Sequence, residues 1–393
     1  MRVDAARWCA AGCLLLVSTA GPAVSSASQA DAAPRTWRVG PDRALTTPSA
    51  AAAVARDGDT VLIDAATYAG DVATWTQDDL TLRGVGGRAH LRAAGRSAQG
   101  KAIWVIAGDR TTVDRLEFSG ARVPDHNGAG IRQEGTDLTV TRSWFHDNQN
   151  GILAGANAES DIEISRSRFF RSGAGDGYTH NLYIGAVRSL TVTGSYLWGA
   201  DVGHELKSRA ARNTIVGNRI TDGDATASYS VDLPNGGRSL VAGNVIIQGP
   251  RSENSTLVSY GAEGFTGSRE LWVVNNTFVN RRTAGTFVSL AEGSRAHLRN
   301  NLLVGPGDVT DRAVVDARAN RRVGLAGFVA PASDDFGLRA RSPAVDRGVR
   351  VPRQWRARWE YVHPTAQARR QVTGRIDLGA FEATVRRGHA PAR

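Results

Sequence analysis

Lysine is almost missing from this chain. Of 48 Lys and Arg residues, only Lys101 and Lys207 are lysine. Cysteine is as scarce: the only two, Cys9 and Cys13, fall at the very start. The rest of the chain therefore carries no disulfide framework and no Cys-ligated metal. Long apolar runs are lacking too, which excludes a membrane-spanning helix. Arg2 and Arg7, the short apolar stretch Ala10 to Val17, and the small residues Ser25, Ala27, Ala30, Ala32 and Ala33 read as a secretory leader over 1–33, cut between 27 and 33. Both cysteines would leave with it, and the mature chain would be secreted, extracellular or periplasmic. The Ala10-Ala-Gly-Cys13 tetrad is a poor lipidation site, because the apolar residues follow Cys13 instead of preceding it.

The net charge is +10. Residues 312–393 hold 17 Arg against 7 acids, a difference of +10, so the body of the chain is neutral. That distribution argues against nucleic acid as a partner. It marks the C-terminal segment as an Arg-rich solvated surface, or as a contact for an acidic polymer.

What the chain does have is repetition. Ser143, Ser167, Ser195, Asn218, Asn244, Asn276 and Asn301 each follow an apolar–polar alternation and precede another apolar residue, at spacings of 24, 28, 23, 26, 32 and 25. Period-2 alternation argues strands, and so short a unit cannot bury its own apolar face. A propeller blade needs roughly 40 residues. The expectation is an all-β, single-stranded right-handed parallel β-helix, with the Ser/Asn positions forming a hydrogen-bonded ladder at one turn. The Ala-rich stretch 49–56 would be an N-terminal helical cap. One domain follows: a β-helix body over 34–311, then terminal coils and an irregular Arg-rich C-terminal cap over 312–393. Nothing in the pattern calls for more than a monomer.

Outward side chains of successive coils stack about 4.8 Å apart, a linear platform suited to an extended polymer. Aligning Asn181-Leu-Tyr183, Glu205-Leu-Lys207 and Ser230-Val-Asp232 puts Leu182, Leu206 and Val231 inward. Tyr183, Lys207 and Asp232 then form one outward column, and Asn181, Glu205 and Ser230 a second. Leu153 and Val258 would be their bland neighbours. In so Arg-rich a chain, Lys207 suggests a need for a titratable amine, since Arg cannot act as a base. The plainer reading is an ion pair tying coils together. Gly-rich and polar insertions gather at the same coils. They place Asp176, Tyr178, His180, His204, Tyr229, Asn235, Tyr260 and Glu263 beside the column, with Arg209 and Arg212 as cations. No tight spacing marks a metal site, and the metal is unknown; His180, His204 and Asp232 are one conceivable set.

At these residues a resemblance emerges. The repeat and both ends resemble the pectin-lyase-like β-helix superfamily. Glu205-Leu-Lys-Ser208, Asn213, Asn218 and Gly243-Asn244 are similar to the chondroitinase B and alginate lyase stretch that carries a catalytic Lys. That family continues with Arg-His-Gly on the next coil. Here the place reads Pro234-Asn-Gly236, so Arg209 or Arg238 would have to substitute for the family's Arg. The resemblance implies a polysaccharide lyase acting on an acidic glycan. Lys207 would be the base, with Tyr183 or His204 behind it. Tyr183 or His180 would be the acid, and Arg209 or Arg212 the carboxylate-binding cation. Glu205, Asp232 and Asn235 would orient these groups or hold Ca²⁺, though no cofactor is required. Three alternatives stay open: a hydrolase using Asp232 with Glu205 or Asp201, a C5-epimerase, and a non-catalytic glycan-binding protein of the envelope or matrix.

Overall fold

The computed structural model describes residues 33–383. The expected leader, residue 33 apart, and both cysteines lie outside the described residues. Each coil gives one strand to each of three parallel sheets, here called A, B and C, of 12, 11 and 10 strands. One coil runs Val187–Thr193 in sheet A, Tyr196–Trp198 in sheet B and Leu206–Ser208 in sheet C. The next runs Arg212–Val216, Arg219–Thr221 and Val231–Leu233. This is the expected right-handed parallel β-helix. Among the described residues no helix is long and apolar enough to cross a membrane.

Alternation becomes packing through register. Val113, Val140, Ile164, Val192, Ile215, Val241, Val273 and Leu298 are register partners in sheet A and form one buried inward column. In sheet B the inward column includes Phe118, Phe145 and Phe169, whose rings stack at 5.0 and 4.9 Å. A coil buries its apolar face only because its neighbours do the same.

The bend from sheet A to sheet B is built alike in successive coils from Leu138 onward. One residue adopts a positive φ, as at Arg142, Arg166, Gly194, Gly217, Gly243, Asn275 and Asn300. The expected Ser or Asn follows. The backbone N–H of each donates to the side chain one coil on: Ser143 to Ser167 and Ser167 to Ser195 (both 3.2 Å), Ser195 to Asn218 (2.9 Å), Asn218 to Asn244 (2.9 Å), Asn244 to Asn276 (3.0 Å) and Asn276 to Asn301 (2.9 Å). The ladder continues to Asn320, which the sequence reading missed. Each Asn amide also donates to a strand carbonyl, as Asn244 does to Ile215 at 2.8 Å. Glycine holds the left-handed position where something packs on it: a Cβ at Gly217 would lie 2.5 Å from the Gln367 amide.

The N-terminal helix is one short turn, Pro48–Ala52, capped by Thr47. Ala51 is buried in the common core, so the helix does cover the first coil. The C-terminal segment lies along the flanks of the solenoid. Phe328, Phe336, Leu338 and Leu378 pack on Val245, Val279, Leu302 and Val304, on the outer face of sheet B. Val351, Trp355 and Ala357 pack on Val216, Leu240 and Trp272, on the outer face of sheet A. The apolar contacts of this segment fall on sheets A and B, leaving the outer face of sheet C to short loops.

Asn244→Ala orphans the Asn218 N–H and the Ile215 carbonyl in a buried bend, at about 1–3 kcal/mol for each group left without a partner. Asn244→Ser keeps the acceptor that earlier coils use. The denaturation midpoint should fall at constant slope for the Ala variant and by clearly less for the Ser variant.

Candidate functional site

Sheet C carries the expected outward column, with Tyr183, Lys207 and Asp232 in direct register. The column extends to Arg132 and Leu153 on one side and to Ser259 and Ser289 on the other. Arg132 and Ser259 escaped the sequence reading. Val258 is no part of it: it pairs with Val231 and faces the core, because its strand, Thr256–Tyr260, sits one residue later than expected. That strand is buried throughout, so alternation gave no cue.

The expected second column does not exist on the surface. Strands Leu182–Ile184, Leu206–Ser208 and Val231–Leu233 begin after Asn181, Glu205 and Ser230. These three are therefore turn residues, and all are buried. Asn181 donates to Glu205 Oε2 at 2.6 Å, and the Ala200 N–H donates to Oε1 at 2.9 Å. Glu205 closes the backbone of the turn between sheets B and C, much as the Ser/Asn ladder closes the other bend. Burial, with Asp222 nearby, pushes its carboxyl well above the usual range. It reaches no groove, which corrects its expected place among the catalytic groups. Burial likewise pushes Asp222 up to about 7.

Three further expectations are corrected. Tyr260 pairs with Leu233 and points inward, donating its hydroxyl to the Gly237 carbonyl at 2.6 Å. Arg212 and Arg238 are register partners on sheet A, a different face, so neither reaches the column. Asp176 is spent on His126 at 2.8 Å and on the Tyr178 N–H, while Tyr178 itself stands exposed.

The remaining residues do converge. Lys207 Nζ lies 3.4 Å from Asp232 and 3.2 Å from Glu263, with its side chain 13% exposed. Arg209 reaches Glu263 and Asn235, both at 2.6 Å, and donates from Nε to the Tyr183 hydroxyl at 3.1 Å. The Glu263 carboxylate thus spans both cations from an exposed loop. Its hydrogen bond from Arg209 outweighs burial and holds it below its ordinary pKa.

Beside the column, His180, His204 and Tyr229 stack at 4.7 and 5.0 Å from three successive coils. His180 Nδ1 accepts from the His204 N–H at 3.0 Å, and His204 Nδ1 accepts from the Tyr229 N–H at 3.2 Å. The ring proton of each therefore sits on Nε2. Burial pushes His204 down to about 3 and His180 well down, so both rings are neutral near pH 7. His204 Nε2 lies 3.4 Å from Asp232 Oδ2. Burial raises the Asp232 carboxyl against the opposing pull of Lys207. Its Oδ1 is buried without a partner.

The Ca²⁺ expectation does not fit this donor set. Ca²⁺ takes 6–8 oxygens, but Glu205 is buried in a turn, Asn235 serves Arg209, and two cations flank the remaining carboxylates. His180, His204 and Asp232 are engaged as described and do not form a metal cluster. Among the described residues, three ligand atoms of metal-binding type gather at one place only, on another face.

No family model and no curated protein matches this chain. Solved structures do. Pectate lyase Pel9A is similar over 89% of this chain and 96% of its own, at 15% identity and a TM-score of 0.62. ORF18 of Geobacillus virus E2 matches at 13% identity, over 69% of this chain and 55% of its own (TM-score 0.41). The PL6 family alginate lyase AlyGC matches at 14%, over 74% and 53% (TM-score 0.33).

Asp222 supplies a pH test. Its raised pKa means that its neutral form stabilises the fold below about pH 4, and that this stability is lost as pH rises through about 7. Asp222→Asn removes that loss. Its melting temperature relative to wild type should climb between pH 4 and 7; a flat difference would show that Asp222 does not titrate there. On the fold, register and likeness together, the chain shares the right-handed parallel β-helix fold of pectate lyase Pel9A.

Proposed function

We propose that the protein is an exported polysaccharide lyase that cleaves a uronate-containing glycan by β-elimination on the outer face of sheet C. The observation that carries this reading is the convergence of Lys207, Arg209 and Tyr183 in one hydrogen-bonded cluster. β-Elimination needs a base, a cation for the uronate carboxylate, and an acid for the leaving oxygen. The name of the fold neighbour Pel9A, a pectate lyase, supports an acidic substrate.

Glu263 already shows how a carboxylate sits between Arg209 and Lys207. A substrate uronate takes that place and releases the Glu263 loop. Asp232, 3.4 Å from the amine, accepts the Lys207 proton. The free amine then removes the C5 proton. The C5–H electron pair becomes the C4=C5 bond, the C4–O bond breaks, and the leaving oxygen takes the Tyr183 proton. Arg209, already donating to that hydroxyl, holds the phenolate until it is reprotonated. Neutral His204 fixes Asp232 from the other side. The hydrolase reading loses Glu205, buried in the turn, and is left with Asp201 as the partner of Asp232.

The test is a panel of acidic polysaccharides (pectate, alginate, chondroitin, hyaluronan), with and without Ca²⁺, read by the ultraviolet absorbance of the unsaturated uronate product. One substrate should respond, and Lys207→Ala should lower its kcat by roughly 10²–10⁴-fold. New reducing ends without that absorbance would instead mark a hydrolase, and binding without cleavage a glycan-binding protein. Glu263→Ala removes the resident competitor for the carboxylate site. It should lower KM several-fold without abolishing kcat; a rise in KM would assign Glu263 to substrate binding.

A further inference from the structure

On sheet B, away from the column, His90, Glu117 and His146 come from three successive coils. His90 and Glu117 are direct register partners. His146 is in register with Ser119, two residues beyond Glu117 on the same face. One ligand atom from each of the three lies within 4.8 Å of the others. His146 Nε2 is 3.1 Å from Glu117 Oε1, and His90 Nε2 is 3.8 Å from the same oxygen. Ligands about 2.0–2.2 Å from a common ion stand roughly that far apart. All three side chains are 15–25% exposed, so the site opens to solvent.

The surroundings are arranged for ligation. His146 Nδ1 contacts Asp147 Oδ2 at 2.6 Å, which directs Nε2 toward Glu117. Arg171 holds that Asp147 through two hydrogen bonds, at 2.8 and 2.9 Å. The His146 ring is stacked on Phe170 at 4.8 Å and Phe170 on Trp198 at 4.2 Å, which fixes its plane. Ser119 Oγ, 2.7 Å from His90 Nε2, occupies the nitrogen that would bind and must turn away. Arg88 stacks 3.8 Å over Trp144 instead of pairing with Glu117. A carboxylate that orients a ligating imidazole is the recurrent support of metal-bound histidine.

We infer that His90, Glu117 and His146 form a site for a divalent transition metal of the Zn²⁺ class, strapping three coils together on the outer face of sheet B. Two imidazoles and one carboxylate suit such an ion and leave a coordination position open to water. The site is separate from the sheet C column and does not rest on the lyase reading.

The test is titration of chelator-treated mature protein with Zn²⁺ by calorimetry, and with Co²⁺ by visible absorption. Wild type should take up one equivalent and gain melting temperature. Glu117→Gln and His146→Gln should lower affinity at least tenfold, while His204→Gln, on sheet C, should bind as wild type does. Circular dichroism of each variant separates lost binding from lost folding. Should a folded His146→Gln bind as wild type, or should wild type take up no stoichiometric metal, the site is wrong. Asp147→Asn probes the support: a 10–100-fold loss of affinity is expected, and an unchanged affinity would remove Asp147 from the site.

Discussion

Everything in this molecule depends on the register of parallel pairing between coils. A strand slipped by one residue sends its apolar set outward and its polar set into the core. The inward column from Val113 to Leu298 forbids such a slip in sheet A, and the Ser/Asn ladder fixes the bend that follows. Because the register is fixed there, the three-residue strands of sheet C inherit it. Tyr183, Lys207 and Asp232 are aligned by a constraint acting on the other side of the coil. None of those short strands could hold its own register, since two inward residues bury too little apolar surface.

Position on the solenoid also follows from what covers it. The C-terminal segment buries the outer faces of sheets A and B in the later coils. That is why Val216, Leu240, Val245 and Val304 can point outward and still be buried. Sheet C is spared, so its outward residues can be charged. The Arg-rich composition of the C-terminal segment fits this wrapping: several of its guanidinium groups bind backbone carbonyls, as Arg370 does with Gly379 and Asp377. Much of the local positive charge thus serves to close loops.

Legibility followed periodicity. The solenoid, the ladder and the column were readable because each recurs with a fixed phase, and phase survives insertions in loops. Glu205 was misread because alternation was extended past the start of its strand, where turn geometry takes over. Tyr260 and Val258 were misread because a strand buried on both faces shows no alternation. Arg212 was drawn to the site by nearness to Lys207 in sequence, yet the chain turns between them and puts it on another sheet. The triad His90, Glu117 and His146 could not be found by spacing, since ligands from successive coils lie as far apart as the variable coil length. Only register shows them to be neighbours.

Two kinds of ion pair can be told apart here by geometry. Several pairs that tie coils together are short and forked, such as Arg171 with Asp147 at 2.8 and 2.9 Å and Arg110 with Asp79 at 2.7 and 2.8 Å. Charge-assisted bonds of that length are near their optimum. Lys207 instead makes one longer hydrogen bond, 3.2 Å to Glu263, and stands 3.4 Å from Asp232, beside a buried Asp232 oxygen with no partner. A group kept only for stability would be expected to close those distances, because a buried orphan acceptor costs about 1–3 kcal/mol. On the proposed lyase reading, these longer contacts let the amine exchange partners when a substrate carboxylate arrives. The cost is met by the rigid coils on either side, which hold the column in place whether or not its charges are paired.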